Sequence, residues 1–360
     1  MRGVRVDAAK KFIIDALLWC ALAALLAACI INQSAVRQYS VISLRFSAPI
    51  SGQAAYAARQ YSISRSEESP FWPTFWKEYS ASFESAFVTA SASCIAYSGD
   101  AQLVWPAAYI KGAAPGVTDS AGCAVSETLA RRLWGSADVI GMTILADGES
   151  RVVRGVFQGG DELALISHHA EDRTQSWSAA CLTGGPDGAV RDDVMNYANA
   201  AGLGRPDSIL MGGTSPVSGV MTMLPLLILA VYGLSLIISL VKKHFPLARK
   251  PLFFIVLIAF AVALPLILGA LPAWSVPTRW SDFSFWASLI ERASGGMREF
   301  LQAAPMLRDV ELRMLMLKQT GIAFLSVCCS LSVCFRWHMR RERRPGPASP
   351  PRRFMPPVFE

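Results

Sequence analysis

Charge is scarce in this chain. Only 17% of its 360 residues are Asp, Glu, Lys or Arg, while 52% are hydrophobic and the mean hydropathy is positive. So little charge excludes an ordinary soluble domain and a disordered one, and points to a membrane protein. Histidine is scarcer still, with four in all. Glycine-rich pieces at 159–160, 184–185 and 212–213 lack the Gly-Lys-Ser/Thr ending of a phosphate loop, so no ATPase motor is encoded here. There is no Cys-x-x-C pair, no internal repeat, and no local Ser/His/Asp or Cys/His arrangement. No catalytic, cofactor-binding or metal-binding residue is assigned from the sequence.

What is present is long apolar runs. A bilayer span needs about 20 mainly apolar residues, and four stretches qualify: 12–31, 221–241, 252–274 and 319–337, the last being the shortest. Residues 32–219 between the first two are polar and numerous enough to bury a core. Lys and Arg number four in 1–11, four in 242–250 and seven in 336–360, against three acids there (Asp7, Glu342, Glu360). Residues 32–219 hold 13 basic and 18 acidic residues, and 275–318 is nearly neutral. Basic flanks face the cytoplasm, so both termini and the 242–251 loop are expected inside. Residues 32–219 and 275–318 are then expected outside. The fold class expected is an α-helical membrane protein with four transmembrane helices and an α+β extracytoplasmic domain inserted between helices 1 and 2. The net charge of +7 then reflects anchoring against lipid headgroups and gives no reason to expect nucleic acid.

Cys94, Cys123 and Cys181 fall in the expected outer domain, where at most one disulfide can form and the pairing is open. Leu26 to Cys29 imitates a lipoprotein cleavage site, but Ile30 and Ile31 continue the apolar run, favouring a retained span. Asp15 sits one turn inside span one. It is either a functional intramembrane carboxylate or, the favoured reading, a group near Lys10 and Lys11 that reaches the cytoplasmic interface.

Tyr39 to Phe46 alternates as a half-buried strand does. Phe71, Trp72, Phe75 and Trp76 recur at helical spacing and are read as core. Residues 87–97 read as a strand, and 112–122 as a loop of turn formers. His168 and His169 follow Asp161 and Glu162; a metal site is one reading, a loop surface the favoured one. Trp274, Trp280 and Trp286 suit a membrane interface, with Ser281 capping an amphipathic helix on it. The tail from Arg340 is basic and Pro-rich, with the composition of a disordered segment.

The most structured stretch is Gly122 to Phe157. Ser126 is an N-cap, Glu127 complements the helix dipole, Leu129, Ala130, Leu133 and Trp134 form one apolar face, and Gly135 ends the helix. Two β-prone arms then flank an Asp147-Gly148 turn. Ser126, Leu129, Ala130, Leu133, Trp134, Gly135, Ser136, Asp138, Ile140, Gly141, Val153, Gly155 and Val156 together resemble the periplasmic core domain of MacB-like ABC-transporter permeases, of the FtsX-like superfamily. The structural positions of that motif here are Gly122, Ser126, Leu129, Leu133, Gly135, Gly141, Gly155 and Val156. The resemblance implies a non-enzymatic permease-like subunit in the cell membrane, working with a separate cytoplasmic ABC ATPase, as a homodimer or paired permease, and in contact with membrane lipid. It implies an export or mechanotransmission role. The loop "KKHFPLARK" lacks the charged coupling segment typical of the family, which leaves open a second reading: an envelope interaction or sensor protein using the same fold without ATPase coupling.

Overall fold

The computed structural model describes residues 2–68, 70–86, 88–185, 190–244 and 283–342. The expected span 252–274, Pro265, Trp274, Trp280, Ser281 and the tail beyond Glu342 lie outside them. The described chain divides into two compact units, one of residues 2–31, 220–244 and 319–342, the other of 32–219 and 283–318.

In chain order the helices are α1 (Arg2–Tyr39), α2 (Gly52–Ser64), α3 (Ala101–Val104), α4 (Glu127–Trp134), α5 (Arg191–Ala200), α6 (Thr214–His244), α7 (Phe283–Gln302) and α8 (Leu307–Glu342). The strands are β1 (Ile42–Ser51), β2 (Phe71–Glu84), β3 (Thr89–Ser98), β4 (Tyr109–Gly112), β5 (Gly122–Ser126), β6 (Thr143–Ala146), β7 (Glu149–Phe157), β8 (Leu163–Ser167), β9 (Ser176–Gly184) and β10 (Ser208–Met211).

Six strands of the sheet unit close on themselves. β2 pairs β3, β3 pairs β8, β8 pairs β5, β5 pairs β7, β7 pairs β6, and β6 returns to the tip of β2 at Phe83 and Glu84. On the side of β2 away from β3, the β9 ladder ends at Trp76 and the β6 ladder begins at Phe83, so the ring is joined there only at its tip. Inside it, and under α4, lie Phe83, Cys94, Cys123, Val125, Leu129, Leu133, Ile144, Val153 and Val156, all at most 1% exposed. The first half of β2 also pairs β9, which continues into β1 and β10 as an open wing. That wing packs Leu44, Phe75, Trp177 and Ile209 against α2 and α5.

The aromatic run at Phe71 corrects the sequence reading. It is a strand of 14 residues rather than a helix. Its spacing mimics a helix because both faces are buried at its centre: Phe75 enters the wing core and Trp76 a separate cluster with Ile95, Tyr97 and Phe157, while Trp72, read as core, is 43% exposed. Bulky aromatics favour strands, and a strand covered on both sides loses the alternation that would identify it.

The three cysteines of the sheet unit form no disulfide, one of the outcomes the sequence left open. Cys94, Cys123 and Cys181 are free and buried. Cys94 on β3 and Cys123 on β5 flank β8, so two strand spacings, about 10 Å, separate them. That exceeds the reach of a disulfide.

Among the described residues, three helices are long and apolar enough to cross a membrane, over Ile13–Tyr39, Thr214–Leu236 and Leu307–Met339. The last is far longer than the 319–337 expected. Within the helical unit, α1, α6 and α8 meet through small and polar groups. Gln319 Nε2 donates to Thr222 Oγ1 at 2.8 Å, and Cys29 Sγ lies 3.8 Å from Ser326 Oγ. Such bonds, with small residues that permit close approach, hold helices together where lipid supplies no hydrophobic drive. Asp15 is paired with Arg336 of α8 at 3.1 Å, a partner the sequence reading did not name.

Candidate functional site

The expected motif residues all frame the ring of strands. Ser126 Oγ accepts the N–H of Leu129 at 3.2 Å, capping α4, and also the N–H of Leu163 at 3.1 Å, tying the cap to β8. Leu129 and Leu133 point into the ring interior. Gly135 closes α4 in the left-handed region at φ 70°, its N–H donating to Arg131 O at 2.7 Å. Gly141, at φ 82°, donates to Val153 O at 2.8 Å and starts the β6–β7 hairpin. Gly122 opens β5; at Gly155 a Cβ would collide with the backbone of Ala113, so β4 and β7 approach only because no side chain is there. Val156 is fully buried. These eight positions lie in or beside the ring of strands. None of them presents a reactive group to a cleft.

A second constellation, absent from the sequence reading, carries the charge chemistry. On β1, Arg45 points inward and is 8% exposed. Its Nη2 donates to both oxygens of Asp309, at 2.8 and 3.0 Å, and its Nη1 donates to Ser43 Oγ at 2.7 Å. The guanidinium lies 4.7 Å from the centroid of the Trp76 ring, a cation–π contact strengthened by the dry surroundings. Asp309, 3% exposed, stands in the first turn of α8, where the helix dipole favours a carboxylate, and it also accepts the Met306 N–H at 3.3 Å.

Two further bonds fasten the same turn. The Leu307 N–H donates to Glu78 Oε2 on β2 at 2.7 Å. Arg308, 2% exposed, donates from Nη2 to the carbonyl of Tyr39, the last residue of α1, at 2.6 Å. Burial raises the Glu78 pKa above the ordinary carboxylate value; the Leu307 N–H and Arg45 oppose this, and Asp309 adds to it. Met306 and Leu307 pack on the cluster around Trp76 and Tyr97. Arg45 Nε, Trp76 Nε1 and Arg308 Nε find no protein acceptor. The junction is therefore tight in charge pairing and, among protein groups, incompletely satisfied in hydrogen bonding.

α7 completes the surroundings. Phe300 is buried with Val36, Leu210 and Leu312. Glu299 accepts the N–H of Ile209 at 3.0 Å on the outer side of β10 and pairs with Arg191. A carboxylate on that N–H caps a sheet edge that would otherwise invite another strand. The C-terminal half of the helix expected to lie on lipid thus packs on protein.

His168 corrects another reading. Only His169 of the pair is exposed; His168 is 9% exposed, its ring edge-on to Trp177 with centroids 5.9 Å apart. Among the described residues, no three His, Cys, Asp or Glu side chains gather to hold a metal ion.

The sequence hid the Arg45–Asp309 pair because its members are 264 residues apart. Two signals were there to read: an arginine inside the inward-facing alternation of β1, and an acid in the first turn of an apolar helix.

The chain is similar to several solved domains. The extracellular domain of the noncanonic ABC-type transporter YknZ from Gram-positive bacteria is 10% identical, with 47% of this chain and 97% of that chain covered and a TM-score of 0.38. The periplasmic region of MacB from Actinobacillus actinomycetemcomitans is 10% identical over 48% and 89%, with a TM-score of 0.39. A domain of a putative permease protein from Porphyromonas gingivalis is 13% identical over 47% and 86%, with a TM-score of 0.32. No family model and no curated protein matches the chain.

Proposed function

We propose that the chain is a permease-like membrane subunit of an ABC-type export or mechanotransmission system. It couples a separate cytoplasmic ATPase to an extracytoplasmic domain, and ATP hydrolysis belongs to the partner. The observation that carries this is the Arg45–Asp309 pair. α8 is one unbroken helix whose first turn is bonded to β1 and β2 and whose remainder is apolar enough to lie in a bilayer. Breaking one side of a buried ion pair costs about 3–5 kcal/mol, so a shift of the helix would carry the sheet with it instead of sliding past. A partner nucleotide can move such an element only by favouring one of two arrangements.

The charge distribution supports a topology with both termini, and the basic residues of 242–251, in the cytoplasm and residues 32–219 outside. Four spans, at 12–31, 221–241, 252–274 and 319–337, fit that topology. A homodimer or paired permease around the ATPase and direct lipid contact belong to the same proposal. The motif at Gly122, Ser126, Leu129, Leu133, Gly135, Gly141, Gly155 and Val156 supplies the rigidity that a transmitting domain needs.

The test is purification of the full chain from its native membrane in mild detergent. A nucleotide-binding subunit should co-purify, and its ATPase rate should respond to Asp309→Asn. If no nucleotide-binding subunit associates, the transporter reading fails. The short 242–251 loop would then favour an envelope interaction or sensor protein.

A further inference from the structure

The loop that follows β8, residues 168–175, is pinned on one side and open on the other. The His168 N–H donates to Tyr97 O at 2.8 Å, and its carbonyl accepts Ser98 Oγ at 3.1 Å. Arg59 of α2 donates to Ala170 O at 2.9 Å, and the Arg173 guanidinium lies 4.5 Å from the Tyr56 ring centroid. The opposite side faces an open cleft of about 480 Å³, lined among others by Ser120, Glu149, Arg151, His168, Asp172 and Gln175.

At the cleft wall, the His168 imidazole is wedged between the Trp177 edge and charged groups from every neighbouring element. Its Nδ1 is 3.8 Å from Asp172 Oδ2 on its own loop. β7 brings Arg151, nine-tenths buried and bonded to Glu149 at 2.6 Å; β2 brings Lys77, bonded to Gln175 at 3.0 Å. Asp172 holds the turn through its other oxygen, Oδ1, which accepts the Thr174 N–H at 2.9 Å and its hydroxyl at 2.6 Å.

We infer that this loop is an acid-triggered switch. Protonating His168 places a cation beside Arg151 and Lys77 and closes the 3.8 Å gap to Asp172 Oδ2, which pulls the carboxylate against the Thr174 bonds on its Oδ1, so the 168–175 wall rearranges and the cleft changes shape. Burial first, and then Arg151 and Lys77, push the ring's pKa below the ordinary histidine value, with Asp172 and Glu149 opposing. The ring is therefore neutral in the folded domain at neutral pH. A base depressed in the folded state gives its full contribution to stability above the unfolded pKa of about 6.5. That contribution falls as the medium acidifies through this value, and levels off once the pH is below the folded pKa. An extracytoplasmic domain meets external acidity directly, so the device would report it without a ligand.

The full chain in detergent or nanodiscs tests this in two steps. Exchange of the imidazole C2 hydrogen, followed by peptide mass spectrometry across pH, gives the ring midpoint in the unmodified protein. The midpoint of His168 should lie below about 6.5, and amide exchange over 168–175, corrected for intrinsic rates, should rise several-fold with the same midpoint. His168→Gln should abolish that rise, while His169→Gln, at the exposed neighbour, should leave it intact. A ring midpoint at or above the ordinary value overturns the proposal, as does a pH-dependent rise that survives His168→Gln or that does not track the ring. Should His168→Gln fail to fold, the coincidence of ring and loop midpoints in the unmodified chain still decides.

Discussion

Replacing Asp309 by Asn keeps the shape of the side chain and removes its charge. Arg45 would then remain at 8% exposure, under Trp76, with Ser43 Oγ and the new amide oxygen as neutral acceptors and no opposite charge at position 309. An uncompensated buried charge costs about 3–5 kcal/mol. For a domain of this size each kcal/mol moves Tm by roughly 2–4 °C, so the midpoint should fall by about 10 °C in a thermal-shift assay on the detergent-solubilised chain. Arg45→Met, which leaves Asp309 unpaired but keeps an apolar stem on Trp76, should cost about as much by the same reasoning. The double variant Arg45→Met/Asp309→Leu removes both charges and keeps the volume, and replacement of a buried pair by packed apolar groups is often neutral. It should therefore recover most of the loss, and with Asp309→Leu as the second single variant the closed cycle should give a coupling energy well above the few tenths of a kcal/mol expected of independent sites. Strictly additive single effects, or an Asp309→Asn midpoint within about 2 °C of the unmodified protein, would refute the claim that this pair fastens the foot of α8.

Other consequences follow from single groups. Ser126→Ala removes the acceptor for two backbone N–H groups, Leu129 and Leu163, and should destabilise the domain by about 1–2 kcal/mol in denaturant unfolding. Glu78 carries a raised pKa, so its ionised form opposes folding and stability from this group increases as pH falls toward the unfolded value. Glu78→Gln keeps an acceptor for Leu307 without the charge, and should leave stability at neutral pH unchanged or slightly higher and flatten its pH dependence. Burial pushes the Cys94 and Cys123 thiols up to about 12. Both should resist maleimide in the folded chain at neutral pH and react fully in denaturant, because the thiolate is the nucleophile.

What the sequence made legible was local. The α4 cap at Ser126, the Gly135 stop and the Asp147-Gly148 turn each follow from one residue's hydrogen bonding or its tolerance of positive φ, within a few neighbours. The apolar runs were equally plain where they became α1, α6 and the later part of α8. What failed depended on tertiary context. Phe71 to Trp76 looked helical because two cores claim opposite faces of one strand. Span four looked short because its first turns carry Arg308, Asp309, Glu311 and Arg313, charges that only the folded sheet unit explains. His168 looked like loop surface because the residues that enclose it come from β2, β7 and β9. A pair such as Arg45 and Asp309 is visible only after the chain has brought its two ends together.

The coupling account stands or falls on whether the foot of α8 moves with its sheet. With the co-purified ATPase, amide exchange over residues 42–46, 76–80 and 306–312 should be compared without nucleotide and with ATP trapped by vanadate. The account predicts that all three segments change together in the unmodified protein, and that Asp309→Asn uncouples 306–312 from the two strand segments. Exchange in 306–312 that responds to nucleotide while both strands stay unchanged in the unmodified protein would contradict it.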